Sequence, residues 1–307
     1  MKKVIEVIGI IIFIIVVFII GVLFFMLFIP AVPNHYVNEV KTDGKIESQY
    51  LQMGHCKVAS FKKDGSELIK KYYVYYPEEL EYNNKKYPVI IVLNGTGILP
   101  KKYKALFKHL TSCGFVVIGN DDGNAGSGQS ADESMNFIIS ENKNHKSVLY
   151  GKLDLDNIGI TGHSQGGAGV LSAISIMEHK DKYKTAVVLS PTHEETAHQF
   201  GWNYDLTQIA TPLLMIAGTE GEFETQAVIP LEKMSKMYNK ITSSKVMLRR
   251  KGADHGQMLY SADGYVTAWF LYYLRSNTFA SQAFIGDSPE IIENQLYQDQ
   301  KIDLKRN

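Results

Sequence analysis

Beyond residue 50 the chain alternates between short apolar runs and longer stretches with helical spacing. Residues 88–93, 115–119, 158–161, 185–189 and 212–217 are apolar runs with little or no polar face. Runs of that length suit strands buried on both sides. Between them, Tyr103, Leu106, Phe107 and Leu110 recur at helical intervals across 101–113, and Gly114 ends that segment. Residues 131–150, 168–177, 225–240 and 262–274 predict further helices, and 245–250 a last strand. Strands alternating with helices predict an α/β fold with a mostly parallel sheet, doubly wound because crossovers are right-handed. Ahead of this series, 50–61 and 69–76 alternate loosely and are rich in Tyr and Val. They predict two antiparallel edge strands turning at Lys63-Asp64-Gly65-Ser66, with Tyr72, Tyr73, Tyr75 and Tyr76 packing on the sheet.

The N-terminus breaks this pattern. Residues 7–29 are uncharged and almost wholly apolar. At about 1.5 Å per residue such a helix spans the roughly 30 Å hydrocarbon core of a bilayer. A cleaved signal peptide has a shorter apolar region, about 7–15 residues, before a small-residue site, and Pro30-Ala31-Val32-Pro33 does not supply that site. Lys2 and Lys3 precede the run, and the first cation after it is Lys41. The positive-inside rule then predicts a single-pass transmembrane helix with a cytoplasmic N-terminus and an extracytoplasmic domain. The expected organisation is a membrane anchor at 1–29, a polar linker at 30–48, an α/β domain at 49–285 and a tail at 286–307.

Charge and cysteine content narrow the chemistry. Lys plus Arg and Asp plus Glu both number 32, so no basic field invites nucleic acid. Cys56 and Cys113 are too few for a disulfide framework and read as two buried thiols. No Cys/His cluster has zinc spacing, so neither metal nor cofactor is expected. Asp121-Asp122-Gly123-Asn124 reads as a solvated loop rather than a cation site.

One stretch organises the rest. The run at 158–161 leads into Gly162-His163-Ser164-Gln165-Gly166-Gly167 and then into a small-residue helix. Strand, Gly-x-Ser-x-Gly and helix together predict a nucleophile elbow with Ser164 exposed at its tip. A serine hydroxyl needs a base, and the base needs an acid to hold its tautomer. In a sheet with this elbow they follow in the order Ser, acid, His. His255, in the loop after the last strand, is the expected base. The acid belongs after the strand at 212–217, where Gly218-Thr219-Glu220-Gly221-Glu222-Phe223-Glu224 offers three glutamates and no aspartate. The oxyanion donors are expected from the Gln165 amide and, in the loop Asn94-Gly95-Thr96-Gly97, the Thr96 amide. Ser190-Pro191-Thr192-His193 ends a strand on the same edge and is a candidate cleft wall.

With these residues in view, positions 50–285 resemble the α/β-hydrolases, near the cutinase-like polyester hydrolases, acetylxylan-type esterases and dienelactone hydrolases. The matching segments are 89–97, 113–120, 154–167, 212–222 and 252–255, and Tyr265-Val266-Thr267-Ala268-Trp269-Phe270 is similar to the final helix of the polyester-hydrolase group. The resemblance implies ester hydrolysis through an acyl-enzyme without a cofactor. Its spacing favours Glu222 as the acid, with Glu220 as the alternative. The sequence departs from the group in offering Glu rather than Asp, and in placing Thr96 where an aromatic residue often stands. Those departures argue for esterase chemistry over polyester cleavage. An acyltransferase would use the same triad, and a catalytically inactive domain used as a surface binding module is the third reading. Residues 191–211 are too few for a large cap, which predicts an open cleft suited to bulky or polymer-borne esters.

Overall fold

The computed structural model describes residues 30–305. The apolar segment 7–29 lies outside the described residues; among those described, no helix is long and apolar enough to cross a membrane. The α/β alternation forms one nine-stranded sheet: β1 (Val58–Asp64), β2 (Lys71–Pro77), β3 (Tyr87–Leu93), β4 (Val116–Asn120), β5 (Leu153–His163), β6 (Tyr183–Leu189), β7 (Leu213–Gly218), β8 (Lys245–Arg250) and β9 (Tyr297–Asp303). Their spatial order is β1-β2-β4-β3-β5-β6-β7-β8-β9. Strands β3 to β8 run parallel, while β1, β2 and β9 join antiparallel at the edges.

The apolar runs become parallel strands because both faces of the sheet are covered. Along β3, Val89, Ile91 and Leu93 belong to one core and Ile90 and Val92 to the other. The first core takes Met135 from α4 (Gln129–Lys143), Leu171 from α5 (Gln165–Ala173) and Met234 from α7 (Leu231–Lys240). The second takes Phe107 from α3 (Lys104–Ser112) and Trp269 and Phe270 from α8 (Asp263–Arg275). Strand order reverses around β3, so the loops leaving β3 and β5 diverge there and open a crevice at the carboxyl ends of the strands.

Several expected boundaries move. The segment 30–48 is not a free linker. It forms α1 (Tyr36–Glu39) and the start of α2 (Lys45–Leu51), which displaces the first strand to residue 58. Val32, Tyr36, Ile46 and Glu47 are buried. The Tyr36 hydroxyl donates to Asp263 Oδ2, which also lies 2.7 Å from His109 Nδ1. Its polar composition hid a few apolar residues spaced to dock on α8.

The tail at 286–307 is likewise structured. It supplies a short helix, Glu290–Glu293, and the edge strand β9. The Glu290 carboxylate accepts the Ile46 and Glu47 backbone N–H groups at 2.7 and 2.9 Å, satisfying donors that the start of α2 leaves open. Buried Glu47 in turn accepts from Tyr297 at 2.6 Å and Asn294 at 2.8 Å. The two ends of the domain therefore clasp each other. The expected helix at 225–240 splits at Pro230 into a π-helical turn, Phe223–Val228, and α7. That break shapes the site.

Candidate active site

Ser164 sits between the end of β5 and the start of α5 with φ 58° and ψ −121°. A side chain held at positive φ is strained, and neighbouring backbone must enforce it. The Ser164 N–H donates to Leu189 O at 2.9 Å, and Ser164 O accepts from Ala168 N at 3.1 Å. The glycines are required by space. A Cβ on Gly162 would fall 2.3 Å from Gly166 O, and one on Gly166 would fall 2.4 Å from Leu93 O. Ser164 lines a cavity of about 830 Å³ together with His255, Thr96 and Gln165. The structure thus brings together four of the expected site residues.

It does not bring Glu222 or Glu220 to His255. Both are exposed. Glu224, fully buried, accepts from His255 Nδ1 at 2.6 Å through Oε2. Its Oε1 accepts from Ser190 Oγ and Gly218 N, each at 2.6 Å. Glu224 therefore takes the position expected for Glu222. The cause is local backbone geometry. After β7 the Thr219 and Glu220 amides both donate to Ala253 O, and Gly221 turns the chain at φ 81°. The π-helical turn then points Glu224 and Val228 inward together. The turn uses two more residues than the family spacing allows for. A signal was present: Glu224 and Val228 stand four apart, the spacing of one helical face, and the expected helix began one residue too late to include the glutamate.

His255 is held from two further sides. His163 Nε2 donates to His255 O at 2.7 Å, and the two ring centroids are 4.4 Å apart. Burial, reinforced by the adjacent His255, pushes the His163 pKa down to about 3, so the ring is neutral and its Nε2 carries the proton. The Phe223 ring meets His255 edge-on at 5.0 Å.

In the loop after β3, where the Thr96 donor is expected, Gly95 N–H donates to Tyr103 OH at 3.0 Å, which fixes the loop. A Cβ at Gly95 would sit 3.3 Å from both His163 Nδ1 and His163 O, so glycine lets this loop approach the elbow. Thr96 Oγ1 donates to Gln165 Oε1 at 3.3 Å, and Gln165 Nε2 donates to Asn124 Oδ1 at 3.0 Å. Trp202 Nε1 donates to that same Asn124 oxygen at 3.0 Å. Asn124 and Trp202 had no motif to mark them. They matter because they tie the elbow side chain to the far cavity wall.

That wall comes from the short segment after β6. It carries only α6 (Glu194–Gln199) and a 3₁₀ turn, Leu206–Gln208. From this segment Thr192, Thr196, Phe200 and Trp202 line the cavity. In the Asp121–Asp122 loop, Asp121 accepts from Lys71 N at 3.0 Å and Asp122 from Asn124 N at 2.8 Å, so both carboxylates hold backbone. Cys56 and Cys113 are free thiols, half-buried, and burial raises the Cys113 pKa to about 12.

Residues 53–300 match the family model described as "PETase: PET hydrolase-like". The chain is 26% identical over 189 residues to Cutinase est2 of Thermobifida alba, covering 59% of this chain and 56% of that protein. It is 26% identical over 187 residues to Cutinase 1 of Thermobifida cellulosilytica, covering 59% and 64%. The cutinase of Thermobifida fusca (strain YX) shares 26% over 187 residues, covering 59% and 56%. The chain therefore spans somewhat over half the length of the relatives it matches. With an elbow serine, a histidine after β8 and a family match over most of the fold, this chain belongs to the PET hydrolase-like family of α/β-hydrolases.

Proposed function

We propose that this protein is a serine carboxylic-ester hydrolase that works through an acyl-enzyme. The observation that carries this reading is the 2.6 Å bond from His255 Nδ1 to buried Glu224, in a cavity that also holds Ser164. That bond fixes the imidazole tautomer and leaves Nε2 as the basic nitrogen for the serine. His255 accepts the Ser164 hydroxyl proton as Oγ attacks the ester carbonyl. The oxyanion is received by the Gln165 and Thr96 amides. His255 then gives the proton to the leaving alcohol. Water repeats the sequence and frees the acid. The ester bond breaks, an acid and an alcohol form, and enzyme protonation is restored.

The cavity wall after β6 is short, which suits bulky or polymer-borne acyl groups, and the relatives carry the name cutinase. The uncharged run at 7–29 supports anchoring in a membrane, with the domain on the extracytoplasmic side. Hydrolysis of p-nitrophenyl acetate by the full chain tests the chemistry. The Ser164→Ala variant should lose about three orders of magnitude or more in kcat. Equal rates in variant and wild type would end the proposal.

A further inference from the structure

We propose that the active-site cleft opens onto the bilayer surface and takes acyl esters of anionic lipids in the leaflet on the domain's side of the membrane. This rests on the reading that residues 7–29 cross the membrane. Ala31 forms part of the cavity lining. The next residue is fixed to the domain, because Val32 N donates to Lys102 O at 3.2 Å and Val32 is 1% exposed. Tyr36 fastens the same strap through Asp263. Residue 29 is two positions before Ala31, and two residues of chain reach at most about 7 Å. An anchor that leaves the bilayer at residue 29 therefore puts the lipid surface at the rim of the cavity.

The rim fits such a partner. Phe200 and Phe223, both cavity residues, are 63% and 62% exposed. Large apolar side chains left open at a cavity mouth mark an interaction surface. Phe200 is preorganised by stacking on Trp202 with centroids 4.8 Å apart. Lys101 and Lys104 are exposed on the segment that holds the strap, and cations beside a membrane insertion point attract anionic headgroups. Asp254 is the acidic member of the lining and Glu39 is exposed on the strap, both acting on Tyr260, which packs edge-on against Tyr36, so an anionic headgroup is drawn to the Lys101 and Lys104 side of the rim. An acyl ester drawn from the leaflet would meet Ser164 without leaving the interface. The transfer releases the lyso-lipid alcohol, which takes its proton from His255, and water then releases the fatty acid.

The test uses the full chain reconstituted into vesicles of phosphatidylcholine and phosphatidylglycerol. In one variant a Gly/Ser insert of about 20 residues separates Ile29 from Pro30, a tether of roughly 25 Å root-mean-square length. Hydrolysis of a fluorogenic phosphatidylglycerol in the same vesicles is compared with that of p-nitrophenyl acetate. The insert should lower lipid hydrolysis about fivefold or more and leave p-nitrophenyl acetate turnover unchanged. Lys101→Glu with Lys104→Glu should lower lipid hydrolysis about threefold in anionic vesicles and not in neutral ones. Lipid hydrolysis indifferent to the insert, or absent in protein that turns over p-nitrophenyl acetate, overturns the inference. Faster p-nitrophenyl acetate turnover after insertion also overturns it, since the cavity's occupant would then be residues 1–29. Two controls separate this from the underlying reading. No turnover of either ester defeats the hydrolase proposal, and release of the protein by alkaline carbonate defeats the anchor; the inference falls with each.

Discussion

Glu224→Gln is the most informative substitution, because it changes one acceptor into a donor and leaves the shape intact. Glu224 has three donors aimed at it: His255 Nδ1, Ser190 Oγ and Gly218 N, all at 2.6 Å. In the glutamine variant the amide oxygen keeps Ser190 and Gly218, and the NH₂ group faces His255. An NH₂ cannot accept from Nδ1–H, so the imidazole moves its proton to Nε2 and loses its basic nitrogen on the serine side. Replacing a triad acid by its amide costs about 10⁴-fold in kcat, or roughly 5 kcal/mol of barrier. Because two of the three bonds survive, the fold should lose only about 1–2 kcal/mol. The assay is p-nitrophenyl acetate turnover at neutral pH, with urea unfolding alongside. We expect a loss of about 10³–10⁴-fold in kcat with KM little changed, while Glu222→Gln and Glu220→Gln stay within about twofold of wild type. If Glu224→Gln keeps a tenth of the activity, or Glu222→Gln falls as far as Glu224→Gln, the assignment of the acid is wrong.

Tyr36→Phe removes the hydroxyl that reaches Asp263 and leaves that buried carboxylate one donor short. It should destabilise the domain by about 1–3 kcal/mol in urea unfolding and leave kcat unchanged, which tests whether residues 30–51 belong to the folded body. Acid stability reports on His163, whose pKa falls from an ordinary 6.5 to about 3 through burial and the neighbouring His255. Between those values the unfolded chain binds the proton and the folded one does not, so stability falls as pH drops from about 6.5 toward 3. The full difference is on the order of 5 kcal/mol. His109 opposes this trend. Burial lowers its pKa, but Asp263 and the Gln52 and Tyr50 carbonyls outweigh burial and raise it. Its contribution is present below about pH 6.5 and is lost as pH rises through its folded value. His163→Gln should therefore flatten the acid limb of stability against pH; an unchanged slope would contradict the burial argument.

The parts of the fold visible in the sequence are those where a single physical requirement dominates. Residues 88–93 and 212–217 have no polar face because β3 and β7 are buried on both sides. Gly162 and Gly166 are legible because no other residue fits against Gly166 O and Leu93 O. What stayed hidden depends on contacts between distant segments. Residues 30–48 carry mixed polarity, and only their docking on α8 and on the Glu290 carboxylate makes them structure. Strand β9 has an irregular pattern because it is an edge strand paired on one side only. The acid stands two residues beyond Glu222 for a related reason. Counting residues after Gly218 assumes an ordinary turn, and a π-helical turn places Glu224 inward and leaves Glu222 in solvent.

The proposed chemistry stands on Ser164 as a nucleophile activated by His255. A fluorophosphonate reacts far faster with an activated serine than with an ordinary hydroxyl, so the decisive measurement is the mass and position of its adduct on the folded full chain. We predict one adduct, mapped by peptide mass spectrometry to Ser164, absent in Ser164→Ala and slowed at least a hundredfold in His255→Ala. A folded wild-type protein that takes up no label, or one labelled at any residue other than Ser164, would contradict it.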